Sequence, residues 1–201
     1  MSAHPLEILK AAWDLGINTI DTSNNYSNDE SEHVVAKFIR KVLSRSRSVP
    51  AHPGQYQIPR HQIVIASNYF SVVGNNPSMQ TFLMPDLKDR REYVNQGGLS
   101  RVAIFNAVQA SPMRLETTYA ELLQIHRHDA EVPAEEMMKA LHDLVQNGEV
   151  CYIGASWMRC WQFAHLNEVS GKNGWTTFVS VQEEHFLLYR EEVCTHRIGS
   201  F

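Results

Sequence analysis

The feature that most constrains the fold is a regular alternation of strand-type and helix-type patterns along the chain of 201 residues. Runs rich in β-branched and other apolar residues predict strands over 17–21, 63–67, 119–126, 150–156 and 177–182. Apolar residues at helical spacing predict helices over 6–15, 29–42, 100–115, 133–147 and 159–170. Because strands joined through helices form right-handed parallel units, the alternation predicts an α/β fold with a parallel sheet.

Two architectures fit this alternation, a doubly wound open sheet and part of a (β/α)8 barrel. No Gly-x-Gly-x-x-Gly motif follows any predicted strand, which argues against a dinucleotide-binding Rossmann fold. A complete barrel normally needs about 250 residues and eight strands, and this chain has enough for five or six. The residue pattern leaves both architectures open.

Three segments interrupt the alternation. Residues 44–59 are rich in Ser, Arg and Pro and predict a loop. Residues 71–98 show no strong period, which is typical of either an active-site loop or a partly disordered segment. Pro112 falls inside a predicted helix that Ser100 caps, and we expect it to kink that helix or to end it early.

Composition excludes several classes of protein. With 18 Lys and Arg against 22 Asp and Glu, the net charge of −4 argues against a nucleic-acid-binding protein. We find no stretch of about 18 apolar residues and no secretory leader, so we expect no membrane association. The three cysteines form no metal-binding motif and are an odd number, which favours a reducing, cytoplasmic location.

Polar side chains follow the predicted strands where ligands bind in parallel α/β folds. Asp21 and Tyr26 follow the first strand, and His126 ends the third. An Asp, a Tyr and a His at one rim indicate acid–base chemistry, with a phenol as proton donor toward a carbonyl oxygen. Each also has a structural interpretation: Asp21 as a turn cap, Tyr26 as a packing residue and His126 as a core histidine. His126 and His128 resemble a metal-binding pair, but no further ligands are evident and we expect no metal.

Several motifs in the same order resemble the aldo-keto reductase family. They are the runs 12–27, 122–127, 140–145 and 152–156, and the similarity extends over residues 6–192. The resemblance is to fungal members of the aryl-alcohol dehydrogenase and versiconal hemiacetal acetate reductase types. It implies that the chain folds as an incomplete (β/α)8 barrel of about five to six parallel strands with flanking helices.

The resemblance also implies an NADP-dependent oxidoreductase of fungal secondary (polyketide) metabolism that acts on a small-molecule carbonyl substrate. Tyr26 then matches the proton-donating tyrosine, His126 the histidine that orients the substrate, and Asp21 the aspartate that supports the tyrosine. Asp21, Ser156 and Gln182 match positions that bind the cofactor, the last two through the nicotinamide amide.

Two residues depart from the family pattern. Asn68 stands where the resemblance implies the catalytic lysine, and Trp157 stands where a small polar residue is usual. Without an ammonium group near Tyr26, acid–base catalysis weakens, unless Arg127 or Lys88 takes the place of the lysine. These departures leave a second interpretation open, a catalytically dead barrel remnant that serves as a scaffold or binding protein.

The expected domain organisation is a partial barrel over residues 1–192 and a divergent tail over 193–201. Compared with the family pattern, the chain is expected to lack the first, seventh and eighth barrel strands. Unpaired strand edges then favour self-association. Misplaced exon boundaries in the gene model are an alternative reason for the unusual ends.

Overall fold

The computed structural model describes residues 4–42, 58–79 and 81–189. In this part of the chain five strands form one parallel sheet in the order β1-β2-β3-β4-β5. They are β1 (Thr19–Ser23), β2 (Val64–Tyr69), β3 (Ala120–Ile125), β4 (Val150–Ser156) and β5 (Ser180–Gln182). All five strands were predicted, although β1 lies two residues further along the chain and β5 is three residues shorter at its start.

The five α-helices were also predicted. They are α1 (Pro5–Asp14), α2 (Glu30–Val42), α3 (Arg101–Leu115), α4 (Ala134–Gln146) and α5 (Cys160–Asn173). Short 3-10 helices span Arg60–Gln62, Thr81–Leu83, Pro85–Asp89 and Arg91–Tyr93. None of the helices in the described ranges is long and apolar enough to cross a bilayer.

The strand order decides between the two candidate architectures. A doubly wound sheet reverses its strand order at a switch point, whereas a barrel adds each new strand next to the previous one. Here the order follows the chain without reversal, and neighbouring helices pack against each other in sequence. The sheet is therefore a curled half-barrel with flanking helices, which confirms the incomplete (β/α)8 barrel.

The main hydrophobic core lies between the sheet and α3, α4 and α5. Its strands contribute side chains such as Leu123, Ile125 and Ile153, and α4 contributes Leu141 and Leu144. A smaller cluster packs α1 and α2 against β2, with Phe38 and Ile39 fully buried. Because successive strand residues point to opposite faces, burying one face against helices leaves the alternate residues on the inner face of the half-barrel.

Pro112 does not end the helix early, because α3 continues past it to Leu115, where the apolar spacing predicted its end. Pro112 lies in the last turn, so its missing N–H removes only one hydrogen bond near the end of the helix. Its carbonyl accepts hydrogen bonds from the N–H groups of Glu116 and Thr117, and Glu116 ends the helix in the left-handed conformation at φ 51°. At the other end Ser100 caps the helix as predicted, accepting from the Ala103 N–H at 3.3 Å.

The connection between β2 and α3 is folded in its described part, residues 71–79 and 81–98. Its 3-10 helices enclose a small apolar cluster formed by Val72, Leu87 and Tyr93. Asn28 ties this connection to the β1–α2 turn: its Oδ1 accepts from the Gly74 N–H at 3.1 Å, and its Nδ2 donates to the Asn76 carbonyl at 2.9 Å. Most of the predicted loop 44–59, and the predicted tail 193–201, lie outside the described residues.

Candidate active site

The candidate site lies on the inner face of the half-barrel, at the carboxyl ends of the strands. Gly154 makes room there, because a Cβ atom at this position would lie 2.5 Å from Ser180 Oγ and 3.3 Å from Gln124 Cγ. The parallel register places Asn68 beside Gln124, and Gln124 beside Gly154. Polar side chains from several strands therefore converge over the space that the missing side chain of Gly154 leaves.

Three side-chain amides surround the Asp21 carboxylate, and we call Asn68, Gln124 and Gln182 the amide cluster. Asn68 Nδ2 donates to Asp21 Oδ1 at 3.0 Å, and Gln182 Nε2 donates to Asp21 Oδ2 at 3.1 Å. Gln124 Nε2 donates to Gln182 Oε1 at 2.9 Å and lies 3.5 Å from Asp21 Oδ1. Both oxygens of Asp21 thus receive hydrogen bonds from neutral donors.

No described cation forms an ion pair with Asp21. Lys88 lies 3.5 Å from Glu131, and the Arg127 guanidinium stacks on aromatic rings. Neither residue therefore replaces the missing lysine beside Asp21. Asn68 itself is only 1% exposed, and its Oδ1 has no hydrogen-bond partner among the residues described.

Tyr26 and His126 face each other beside Asp21. Their ring centroids are 5.8 Å apart, and the ring planes meet at 75° in an edge-to-face arrangement. Burial raises the pKa of the Tyr26 phenol, and the negative charge of Asp21 raises it further. Burial and the positive charge of Arg127 lower the pKa of His126, against the opposing effect of Asp21. At neutral pH the pair therefore consists of a protonated phenol and a neutral imidazole.

The local backbone explains where these two side chains lie. After β1 the chain turns sharply, with Ser27, Asn28 and Asp29 all at positive φ before α2 begins. Asn and Asp tolerate this conformation better than most residues. The turn leaves the Tyr26 side chain 39% exposed at the rim. His126 follows β3 directly, and its N–H donates to the Tyr69 carbonyl at 2.9 Å.

Ser156 and Trp157 end β4 at the same rim. Ser156 is nearly buried, and its hydroxyl makes no hydrogen bond to any described residue. Trp157 adopts φ 45° and donates its N–H to the Gln182 carbonyl at 3.1 Å. Its indole is half exposed and lies against Arg127. Trp157 thus lines the rim beside Ser156.

Comparison with known proteins identifies the family. The model of the aldo/keto reductase family matches residues 2–197. The chain belongs to the aldo/keto reductase family. Among curated relatives, the aldo-keto reductase dtxS3 of Metarhizium robertsii is 45% identical over 192 residues, covering 93% of this chain and 48% of that protein.

Two further relatives show how far the similarity extends. The aldo-keto reductase AMT2 of Alternaria alternata is 45% identical over 194 residues, covering 93% of this chain and 49% of that protein. The versiconal hemiacetal acetate reductase of Aspergillus parasiticus is 39% identical over 187 residues, covering 93% of this chain and 50% of that protein. The chain spans about half the length of the curated relatives it matches.

Aldo/keto reductases generally use NAD(P)H, and the two residues predicted to bind its carboxamide, Ser156 and Gln182, both lie at this rim and pair in register. The Ser156 hydroxyl is available to hydrogen-bond the carboxamide. The exposed Gln182 amide is also within the site, although its two ends are engaged by Asp21 and Gln124. A carboxamide must therefore replace one of these contacts. When bound, the reduced nicotinamide would supply the hydride.

The structure brings together most of the residues that the sequence predicts for the site. Asp21 contacts Gln182, Tyr26 faces His126, and Ser156 pairs in register with Gln182. Sequence reasoning missed Gln124, which is 4% exposed at the centre of the amide cluster. The signal was present, because Gln124 lies two residues before His126 and strand residues two apart share a face. Among the described residues, no group of three or more His, Cys, Asp or Glu side chains could hold a metal ion.

Proposed function

We propose that this aldo/keto reductase family member is an NADP(H)-dependent carbonyl/alcohol oxidoreductase. Its substrate is a small carbonyl compound, and the fungal relatives support a place in secondary (polyketide) metabolism. The observation that carries the proposal is the pairing of the Tyr26 phenol with the His126 ring, 5.8 Å apart between centroids, at the carboxyl ends of the strands.

The proposed roles follow from the protonation states of these groups. Carbonyl reduction adds a hydride to carbon and a proton to oxygen, and Tyr26 is placed to supply that proton. The neutral His126 ring donates a hydrogen bond to the same oxygen and orients the substrate. Asp21 positions the polar side chains of the amide cluster. Ser156, Gln182 and Asp21 bind the cofactor, the first two through the nicotinamide carboxamide.

Asn68 makes this catalyst weak. A nearby ammonium would favour the tyrosinate and bring the Tyr26 pKa toward the working pH, whereas a neutral amide supplies no such charge. The Tyr26 pKa is instead raised by burial and by Asp21. Losing tuned acid–base catalysis costs about 10²- to 10⁴-fold in rate. We therefore propose slow turnover.

A second candidate function is favoured by the neutral amides that surround Asp21 in place of a cation. With Asp21 bound by neutral amides, the site binds a carbonyl compound or a nucleotide without converting it. This is the catalytically dead scaffold or binding protein. It requires no proton transfer from Tyr26.

One experiment separates the two functions. NADPH binding to the purified chain is measured by titration calorimetry, and NADPH oxidation with an aromatic aldehyde is followed for wild type and Tyr26→Phe. Saturable binding with turnover that Tyr26→Phe abolishes supports the oxidoreductase. Binding without turnover in either protein supports a binding function, and absence of binding by the folded chain contradicts the oxidoreductase and leaves the remnant or scaffold.

We also propose that the chain self-associates through its sheet edges and that it acts in the cytoplasm. Within the described residues, β1 and β5 each pair with a strand on one side only. Apolar side chains near β5 are exposed, including Val179, Leu187 and Leu188. Sedimentation velocity at increasing concentration tests the association, and a strictly monomeric chain contradicts it. Imaging of a fluorescent fusion tests the location.

A further inference from the structure

The Arg127 guanidinium lies at the rim of the site between two aromatic rings. Its central carbon is 4.7 Å from the centre of the Trp157 ring and 5.5 Å from that of Phe70. Trp157 follows β4 and Phe70 follows β2, so the loops on both sides of β3 hold the side chain. A guanidinium that contacts aromatic rings in this way can still donate its N–H groups, which lie in its own plane, to an oxygen anion.

Two other arginines in the described chain stack on rings, and both are paired with a carboxylate. Arg60 lies over Tyr119 and contacts Glu121 at 2.7 Å. Arg101 lies 4.7 Å from the centre of the Phe105 ring and contacts Asp143 at 2.6 Å.

Arg127 differs, because it forms no ion pair with any carboxylate in the described residues. The nearby Asp129 is engaged elsewhere: its two oxygens accept from the N–H groups of Leu99 and Glu131, at 2.8 Å and 3.0 Å. Asp21 is bound by the amide cluster. Within the part of the chain that the structure describes, the charge of Arg127 is therefore held in place without a carboxylate counter-ion.

We propose that Arg127 is a specificity-determining residue that binds a carboxylate on the carbonyl substrate. The inference rests on the proposed function, because it adds the substrate class to the same site. Arg127 directly follows His126, and its charge is close enough to lower the pKa of that ring. A carboxylate bound to the guanidinium thus lies near the group that orients the carbonyl. A planar two-oxygen anion also matches the paired N–H donors of arginine.

Two kinds of ligand can offer an oxygen anion to Arg127, a substrate through its carboxylate and the dinucleotide through a phosphate. The substrate is favoured because Arg127 adjoins His126, the residue proposed to contact the carbonyl oxygen. The experiment therefore measures binding of benzoate, of benzamide as its neutral counterpart, and of inorganic phosphate. Titration calorimetry of the full chain without cofactor gives each affinity.

We expect benzoate to bind wild type more tightly than benzamide, and Arg127→Met to weaken benzoate binding about tenfold or more. Arg101→Met is the matched control, because it also removes a stacked arginine but one already paired with Asp143, and it leaves benzoate affinity unchanged. Arg127→Gln serves as the second variant if Arg127→Met fails to fold. Phosphate binding that depends on Arg127 without benzoate binding overturns the substrate assignment. Benzoate affinity that is equal in wild type and the Arg127 variants overturns the site itself.

Turnover supplies an independent readout. With para-carboxybenzaldehyde and benzaldehyde as substrates, Arg127→Met is expected to lower kcat/KM for the first by about tenfold more than for the second, and an equal change for both substrates overturns the carboxylate assignment. Because benzoate binding needs neither cofactor nor turnover, an inactive chain that binds benzoate through Arg127 refutes the oxidoreductase but keeps the anion site. An active chain with no preference for the carboxylate keeps the oxidoreductase and refutes the anion site.

Discussion

Asn68 Nδ2 lies 3.0 Å from Asp21 Oδ1 and donates a hydrogen bond to it across the first two strands. Among the described residues no cation forms an ion pair with this negatively charged carboxylate. This charge acts on the Tyr26 phenol and raises its pKa, in addition to the effect of burial. A single amide thus links the geometry of the site to the protonation of its proposed proton donor.

The first prediction concerns Asn68→Lys. An ammonium next to Asp21 lowers the free energy of the tyrosinate and brings the Tyr26 pKa closer to neutral pH. We expect the rate of aldehyde reduction to increase by about 10²-fold or more, measured as kcat with saturating NADPH. Asn68→Met, which is similar in length but uncharged, serves as the control and should give no gain. Equal rates in wild type and Asn68→Lys would contradict the electrostatic explanation.

The second prediction concerns pH. Because burial and Arg127 lower the pKa of His126, the folded state binds fewer protons than the unfolded state just below the ordinary histidine pKa of about 6.5. The free energy of unfolding therefore rises with pH through this window. The contribution of the neutral His126 ring to stability is lost as the pH falls from about 6.5 toward the folded-state pKa. Urea denaturation across this range measures the slope.

The variant His126→Gln should flatten that slope, because the side chain of glutamine does not bind a proton in this pH range. Burial also lowers the pKa of His128, so the double variant with His128→Gln should flatten it further. An unchanged slope in His126→Gln would show that this ring does not contribute to the acid sensitivity.

The fold follows from local patterns to a large extent. Ile65 and Leu123 mark buried strands, and Ser100 marks the start of a helix, because burial and capping depend on near neighbours in sequence. Apolar spacing also predicted the end of α3 at Leu115, whereas Pro112 was expected to kink the helix or to end it early. The helix continues past Pro112 because this residue lies in the last turn, where a missing N–H costs only one hydrogen bond.

The site was harder to predict because its contacts join distant strands. Asp21 and Gln182 are 161 residues apart and still form a hydrogen bond. The role of Gln124 depends on register and on the absence of a side chain at Gly154. Arg127 was considered as a replacement for the lysine, whereas stacking on Trp157 holds its charge at the rim instead. Such long-range geometry is not encoded in spacing along the chain.

The third prediction concerns Asp129, which joins the connections that follow β2 and β3. Its carboxylate accepts hydrogen bonds from the Leu99 and Glu131 N–H groups, and Leu99 is fully buried. Asp129→Ala leaves the Leu99 N–H unpaired, so we expect a loss of about 1–3 kcal/mol in the free energy of unfolding. Limited proteolysis should also cleave residues 71–98 faster. Asp129→Asn keeps one acceptor oxygen, so its stability and its cleavage rate should lie between those of wild type and Asp129→Ala. Equal proteolysis of all three proteins would show that Asp129 does not hold the two connections together.

The last prediction concerns Glu32, a completely buried carboxylate between α2, α3 and β2. Arg114 Nε contacts Glu32 Oε2 at 2.5 Å, and the hydroxyls of Ser67 and Ser111 donate to its other oxygen. Removing one partner of a buried ion pair leaves the other charge uncompensated. We therefore expect Glu32→Ala to lower the free energy of unfolding by about 3–5 kcal/mol in urea denaturation.

The matched control is the exposed pair Lys88–Glu131, whose side chains are 61% and 81% accessible. Water screens this pair, so Lys88→Met should change the free energy of unfolding by about 1 kcal/mol or less. The double variant Glu32→Ala with Arg114→Met removes both buried charges and should recover part of the loss, because no unpaired guanidinium remains. If the double variant is as unstable as the sum of its single variants, then the two residues do not act as a pair and the loss comes from packing alone.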